Sequence, residues 1–197
     1  MRCLSPCFKL LPLKLDSSEQ QSPKQPSPTS QTIHLLLSLS PTLTSSNLST
    51  PLYLKKAISY ARHGGTVIFA GQFSNFVQRD ELNQFFRSHW DLPWEFGDYQ
   101  RTTVYINPHA RLVNKVRFPA AYSQKAAFLK NVPADAALHL PTEDLVTESL
   151  GFPSRPVTDR THMPVAFAAV GEGSLGYVGD TNTEEASYAV IVAMCRL

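Results

Sequence analysis

The sequence predicts an α/β domain of three layers, incomplete on its N-terminal side and extended by antiparallel strands. Three observations predict it. Residues 52–71 carry a helical apolar pattern, then Gly64-Gly65, then the continuously apolar Val67-Ile68-Phe69-Ala70-Gly71. Upstream, Ile33-His34-Leu35-Leu36-Leu37-Ser38-Leu39 is a second short apolar run, so the stretch 33–71 reads as a β-α-β unit. Near the end, two apolar segments flank Gly171-Glu172-Gly173 and a helical pattern follows them. The first fifty residues differ from all this, being rich in Ser and Pro and without glycine. The expected organisation is a disordered tail over 1–32 and a folded domain over 33–197.

Bulk properties narrow the function classes. A chain of 197 residues with 43% hydrophobic content can build one substantial core. A net charge of +2 without any Lys/Arg block argues against a nucleic-acid partner. The three cysteines, Cys3, Cys7 and Cys195, suit neither a disulfide framework nor a zinc site, which points to a reducing, cytoplasmic setting. No apolar run approaches the ~20 residues that cross a bilayer, and Leu10-Leu11-Pro12-Leu13 is too short for a secretory signal. No metal and no cofactor is expected.

The elements follow in order. Pro6, Pro12, Pro23, Pro26 and Pro28 punctuate a stretch of Ser, Gln and Lys that cannot bury enough apolar surface to offset its ordering entropy. Thr50 is a good N-cap and Pro51 suits the first helical position. Leu54, Ile58 and Ala61 form the apolar face of the helix, and Gly64 or Gly65 supplies its left-handed end. The strand 66–70 is then expected parallel to 33–39 through a right-handed crossover, buried on both faces.

Residues 72–76 read as a loop. A second helix is expected over 79–90, with Leu82, Phe85, Phe86 and Trp90 on one face and Asp91-Leu92-Pro93-Trp94 as its stop. Short strands are expected at 102–106, 126–129 and 136–140, between Pro108, Pro119, Pro133 and Pro141. Residues 141–163 read as a long loop. The hairpin 165–178 leads to a last helix with Thr181 and Glu184 in a capping-box pattern and Ala186, Val190, Ala193 and Met194 as its buried stripe.

Two segments carry a family resemblance. Arg62-His63-Gly64-Gly65-Thr66-Val67-Ile68-Phe69-Ala70-Gly71 and the late Val170-Gly171-Glu172-Gly173-Ser174-Leu175-Gly176-Tyr177-Val178-Gly179-Asp180 resemble class I glutamine amidotransferase-like domains. The nearest in flavour are the trehalose-utilisation-type proteins and the comparable module of some β-galactosidases. The resemblance implies a flavodoxin-like, amidotransferase-like sandwich over about 33–197. It does not carry the family's catalytic set. Such an enzyme needs a Cys on a strand-to-helix elbow, with a His oriented by a Glu. Here no Gly-x-Cys-x-Gly occurs, and Cys195, the one cysteine of the folded part, sits near the end of a helix. No catalytic residue is assigned.

Candidate site residues come from the rule that open α/β sheets bind ligands beyond the carboxyl ends of their parallel strands. Two loops fall there. The first offers Gln72, Ser74 and Asn75, and the second offers Asp180, Thr181 and Asn182 at a helix start. Helix capping and loop satisfaction are the plainer uses of the same residues. The leading reading is a non-catalytic module that binds a small polar ligand or a partner protein at Gln72, Ser74, Asn75, Asp180 and Asn182. The alternative is a hydrolase for a carbohydrate or ester, using Ser74, His109 or Asp180. Glu143, Asp144 and Glu148 are a candidate carboxylate group. The aromatic residues of 79–90 also need cover. A short sheet would leave them exposed, and self-association along the edge near 33–39 is expected on that ground.

Overall fold

The computed structural model describes residues 34–37 as backbone, and 52–111, 117–141, 146–148, 153, 155–157 and 159–197 in full. The expected tail, Cys3, Cys7, Thr50, Pro51, Glu143 and Asp144 lie outside these residues. Seven strands and four helices are described. In chain order they are β1 (His34–Leu37), α1 (Leu52–Arg62), β2 (Thr66–Phe69), α2 (Gln72–Phe76), α3 (Arg79–Trp90), β3 (Glu95–Ile106), β4 (Ala121–Lys130), β5 (Ala137–Leu140), β6 (Val165–Val170), β7 (Gly173–Val178) and α4 (Glu185–Met194).

The strands form one mixed sheet in the order β1-β2-β7-β6-β5-β3-β4. The β-α-β unit is present: β1 lies parallel to β2, with His34 opposite Thr66 and Leu37 opposite Phe69. Strand β2 gains a second parallel neighbour in β7, with Thr66 opposite Ser174. Every other pairing is antiparallel. The protein is therefore of mixed α/β class, with a parallel corner of three strands and a larger antiparallel part.

Strand β2 has a strand on either side and is buried along its whole length. Side chains alternate across a strand, so its residues feed two cores. Val67 and Phe69 join the core that holds α1, α2 and α3, while Ile68 joins the core under α4. Helix α1 buries Leu54, Ala57 and Ala61. It stops where expected, at Gly64 with φ 98°, and the Gly65 N–H reaches back to the Tyr60 carbonyl at 3.0 Å.

Helix α3 has the expected bounds, and Asp91 ends it in the left-handed conformation at φ 57°. Its aromatic residues are not exposed, which corrects the expectation of an uncovered apolar face. Phe85, Phe86 and Trp90 are buried. Phe69 of β2, Phe73 of α2 and Tyr177 of β7 receive them, with ring centroids 4.9–5.8 Å apart. The sheet is wide enough because β7 inserts beside β2, a pairing that local pattern does not reveal.

Three further corrections concern lengths and caps. Residues 72–76 form a short helix rather than a loop. Strands β3 and β4 run 12 and 10 residues, well beyond the expected 102–106 and 126–129. They pair along most of that length, with a register shift between Phe96 and Tyr99. The capping box expected at Thr181 and Glu184 does not form, since Thr181 Oγ1 donates to the Lys125 carbonyl at 3.0 Å.

The sheet curls so that the outer edge of β4 meets the chain on either side of the β6–β7 hairpin. Ala127 N–H donates to the Gly179 carbonyl at 2.9 Å, Thr181 N–H to the Lys125 carbonyl at 2.9 Å, and Leu129 and Met163 exchange two bonds of 2.8 Å. The hairpin turns in two residues, with Gly171 at φ 62°. Where the backbones cross, Gly179 admits no side chain: a Cβ there would stand 2.1 Å from the Ala127 carbonyl oxygen. Gly179→Ala is therefore expected to destabilise the fold by about 2 kcal/mol or more. Phe76→Ala, at an exposed position, is expected to cost well under that. Urea unfolding followed by circular dichroism measures both.

Candidate functional site

The site is built where β2 and β7 end. Gly71, at φ 62°, turns the chain off β2 into α2. The Ser74 hydroxyl then ties α2 to β7 by donating to the Val178 carbonyl at 2.8 Å. From Val178 the chain passes Gly179 to Asp180, whose side chain is buried. One carboxylate oxygen of Asp180 accepts the Asn182 N–H at 2.8 Å and the other accepts the Glu184 N–H at 2.7 Å. Asp180 thus caps the approach to α4, the task that the sequence pattern offers to Thr181.

Two clefts flank this junction. The first, about 460 Å³, is lined by Ser74, Asn75, Gln78, Arg79, Phe96 and Tyr99 among others. Cations lie over its aromatic walls. The Arg79 guanidinium is 4.6 Å from the Phe96 ring centre, and the Lys125 ammonium is 5.3 Å from that of Tyr99. The Tyr99 hydroxyl lies 3.2 Å from Thr181 Oγ1.

The second cleft, about 270 Å³, lies between the ends of β2 and β7 and the start of α4. Its walls include Ala70, Gln72, Asp180, Glu184, Ser187 and Tyr188. Among the described residues no Lys, Arg or His lines it. Glu184 at its rim is ion-paired with Arg101. Arg101 also approaches Ser123 at 3.4 Å. Glu148 takes the hydroxyls of Ser123 and Thr103 at 2.7 and 2.9 Å. Glu148 is therefore engaged with β3 and β4. Among the described residues no cluster of His, Cys, Asp or Glu has the makings of a metal site.

The structure divides the expected site residues. Ser74 and Asn75 line the first cleft, Gln72 and Asp180 line the second, and the exposed Asn182 lines neither. His109 also lines neither, and its N–H is held by the Asn107 side chain at 2.9 Å. The hydroxyl of Ser74 and both oxygens of Asp180 are occupied by backbone. Among the described residues, no histidine lines either cleft.

Behind the second cleft stand polar residues that sequence reasoning missed. Tyr122, Gln124 and Ser187 are buried, and the Tyr122 hydroxyl, both amide atoms of Gln124 and the Ser187 hydroxyl have no hydrogen-bond partner. They adjoin one another. Burial pushes the Tyr122 phenol far up, Ser187 and Gln124 beside it act the other way, and the Asp180 carboxylate adds to the rise. A signal was available. Tyr122, Gln124, Ala126 and Phe128 alternate along β4, so Gln124 falls in an inward series where an apolar residue is expected. Ser187 likewise stands in the stripe with Val190 and Met194.

No family model matches the sequence, and no curated protein matches it. Similar solved structures exist. Over 74% of its length the chain is similar to a β-galactosidase from Bacillus circulans sp. alkalophilus, at 12% identity and TM-score 0.38, covering 20% of that chain. A cold-adapted β-galactosidase from Rahnella sp. R3 is similar over 73%, at 16% identity and TM-score 0.43, again covering 20%. A ThuA-like protein from Bacteroides uniformis is similar over 75%, at 12% identity and TM-score 0.42, covering 63% of it. The chain spans about a fifth of the length of the β-galactosidases it matches.

Two predictions test the electrostatics. Asp180→Ala removes the acceptor of the Asn182 and Glu184 N–H groups just ahead of α4. It is expected to cost about 1–2 kcal/mol in urea unfolding. His139 is buried between Tyr122 and Phe118 and donates through Nε2 to the Pro119 carbonyl at 2.8 Å. Desolvation lowers its pKa below the ordinary 6.5. The unfolded chain therefore takes up the proton first as the pH falls. Stability should be flat in this group's contribution above about pH 6.5 and should decline below it, by at most ~1.4 kcal/mol per pH unit. His139→Leu is expected to flatten that decline between pH 6.5 and 5. An unchanged slope would remove His139 as its source.

Proposed function

We propose that this chain is a non-catalytic module of the amidotransferase-like, flavodoxin-like kind, and that it binds a small polar molecule, or a partner protein presenting one, where its parallel strands end. One observation carries the reading. Ser74 and Asp180, the groups best placed for chemistry, spend their hydrogen-bonding capacity on backbone, while open clefts remain beside them. A site that holds its polar groups in structural bonds and keeps a concave, partly apolar surface is suited to binding rather than turnover. The residues proposed for contact are Gln72 and Asp180 in the second cleft and Ser74 and Asn75 in the first, with Asn182 at the margin. A cytoplasmic setting, expected from the cysteine usage, belongs to the same proposal. So does self-association through β1, which is an outer strand of the sheet.

The rival is a hydrolase for a carbohydrate or ester. It requires a base for the Ser74 hydroxyl, and among the described residues no histidine lines either cleft. A thermal-shift screen of the purified chain against small metabolites, run beside assays with 4-nitrophenyl esters and glycosides, separates the two. A ligand that favours the folded state raises the melting point. The expected outcome is a rise of ~2 °C or more for at least one polar compound, and hydrolysis no faster than in buffer. Hydrolysis that Ser74→Ala abolishes would establish the rival instead.

A further inference from the structure

The second cleft has a polar wall that the sheet itself does not use. Gln124 is fully buried in the inward series of β4, and both its amide oxygen and its amide nitrogen lack partners. The Tyr122 hydroxyl stands near enough to act on it and on Ser187, but no bond of good geometry forms, and a buried carboxamide in that state keeps much of its desolvation cost. The neighbouring hydroxyls of Tyr122 and Ser187 share the condition. Ser187 also lines the cleft. Ser187 is therefore the residue that joins the buried set to the cleft wall.

The charge pattern narrows what that molecule is. The approach to α4 already holds a carboxylate, since Asp180 accepts the N–H groups of Asn182 and Glu184 with both its oxygens. A second anion would meet Asp180 and Glu184, with no cation on the cleft wall to offset them. A cation finds no free carboxylate, because Glu184 is paired with Arg101 and Asp180 is engaged with backbone. Of the buried polar set Ser187 alone lines the cleft, and its hydroxyl, able both to donate and to accept, complements an uncharged partner. The volume of about 270 Å³ holds a compound of roughly ten non-hydrogen atoms.

We propose that Gln124, acting with Tyr122 through Ser187, makes the second cleft selective for an uncharged molecule that presents a donor and an acceptor on neighbouring atoms, as a carboxamide or a vicinal diol does. The proposal rests on the reading of this cleft as a binding site. Ser187 meets the ligand, and Gln124 and Tyr122 are positioning residues that fix the direction of its hydroxyl.

The test uses the whole chain and four probes at millimolar concentration: nicotinamide for the carboxamide, myo-inositol for the diol, and acetate and phosphate as anions. The expected result is a melting-point rise of ~2 °C or more with at least one of the first two and none with the anions. Which of the two acts tells carboxamide from diol. Gln124→Leu is expected to melt higher than the parent without ligand, because two unpaired buried atoms are gone, and to lose the ligand shift. A merely structural role would move the first reading and leave the second. Ser187→Ala should lose the shift and Ser187→Thr, which keeps the hydroxyl, should retain it. This pair decides the matter should Gln124→Leu fail to melt cooperatively. An equal shift in the parent, Gln124→Leu and Ser187→Ala would overturn the assignment of these residues while leaving the cleft a binding site. Shifts with acetate or phosphate as large as those with the neutral probes would overturn the selectivity. Silence from both neutral probes overturns it too when the wider metabolite screen finds a ligand. Silence across that whole screen removes the reading of the cleft along with it.

Discussion

Between Gly179 and Ala127 two backbones lie so close that a single Cβ would strike a carbonyl oxygen. This contact closes the curl of the sheet. On one side the Ala127 N–H donates to Gly179. On the other the Tyr177 hydroxyl, itself fully buried, donates to the Ala127 carbonyl at 2.9 Å. Strand β4 would otherwise end the sheet as an open edge of ten residues, a template for unwanted pairing. Turning that edge onto the chain that flanks β6 and β7 satisfies its backbone groups internally. The polar residues of the site follow from the same closure. Asp180 leaves the contact on one strand, and Gln124 and Tyr122 approach it on the other. The clefts are the spaces that the curl leaves on either side.

The aromatic core under α3 supports the closure from the opposite face. Phe69, Phe73, Phe85, Phe86, Trp90, Trp94 and Tyr177 form one connected set of tilted and edge-on rings. Edge-to-face pairs add about 0.5–1.5 kcal/mol each beyond their burial, so such a set is stiff as well as apolar. Phe73 lies one residue before Ser74, and Tyr177 one residue before Val178. The Ser74–Val178 hydrogen bond that fixes the floor between the clefts is therefore held at both ends by rings in the same core.

Local order was legible in the sequence wherever a signal lies within one element. Gly64 and Asp91 mark helix ends by their left-handed geometry, the apolar run of β2 shows burial on both faces, and Gly171-Glu172 sets a tight hairpin. The fold became illegible where a long-range pairing decides the outcome. Residues 95–101 and 121–125 carry Asp98, Gln100, Arg101, Gln124 and Lys125, which mask a strand pattern that only cross-strand pairing reveals. The insertion of β7 beside β2 joins residues more than a hundred positions apart, and no local period encodes it. The site was half legible for the same reason. The strand-end rule finds Gln72, Ser74 and Asp180 because they stand next to elements that can be read. Tyr122, Gln124 and Ser187 come together only after the curl has formed. The capping choice turned on one residue: both Thr181 and Asp180 suit a cap, and the pull of the Lys125 carbonyl on the Thr181 hydroxyl gives the role to Asp180.

That choice has a chemical consequence for the whole strand-end region. A helix start beyond a parallel sheet ordinarily leaves backbone N–H groups for a phosphate or carboxylate of the ligand. Here the protein supplies the carboxylate itself, from a buried side chain one residue past Gly179. A carboxylate thus already stands in the turn that leads into α4, and Arg101, the nearby cation, is drawn to Glu184. The proposal of an uncharged ligand for the second cleft rests on this arrangement. A carboxylate at this place also opposes a developing negative charge, which acyl or phosphoryl transfer would build up. The charge balance of this region thus turns on one buried side chain, Asp180, held in place by the close contact beside it.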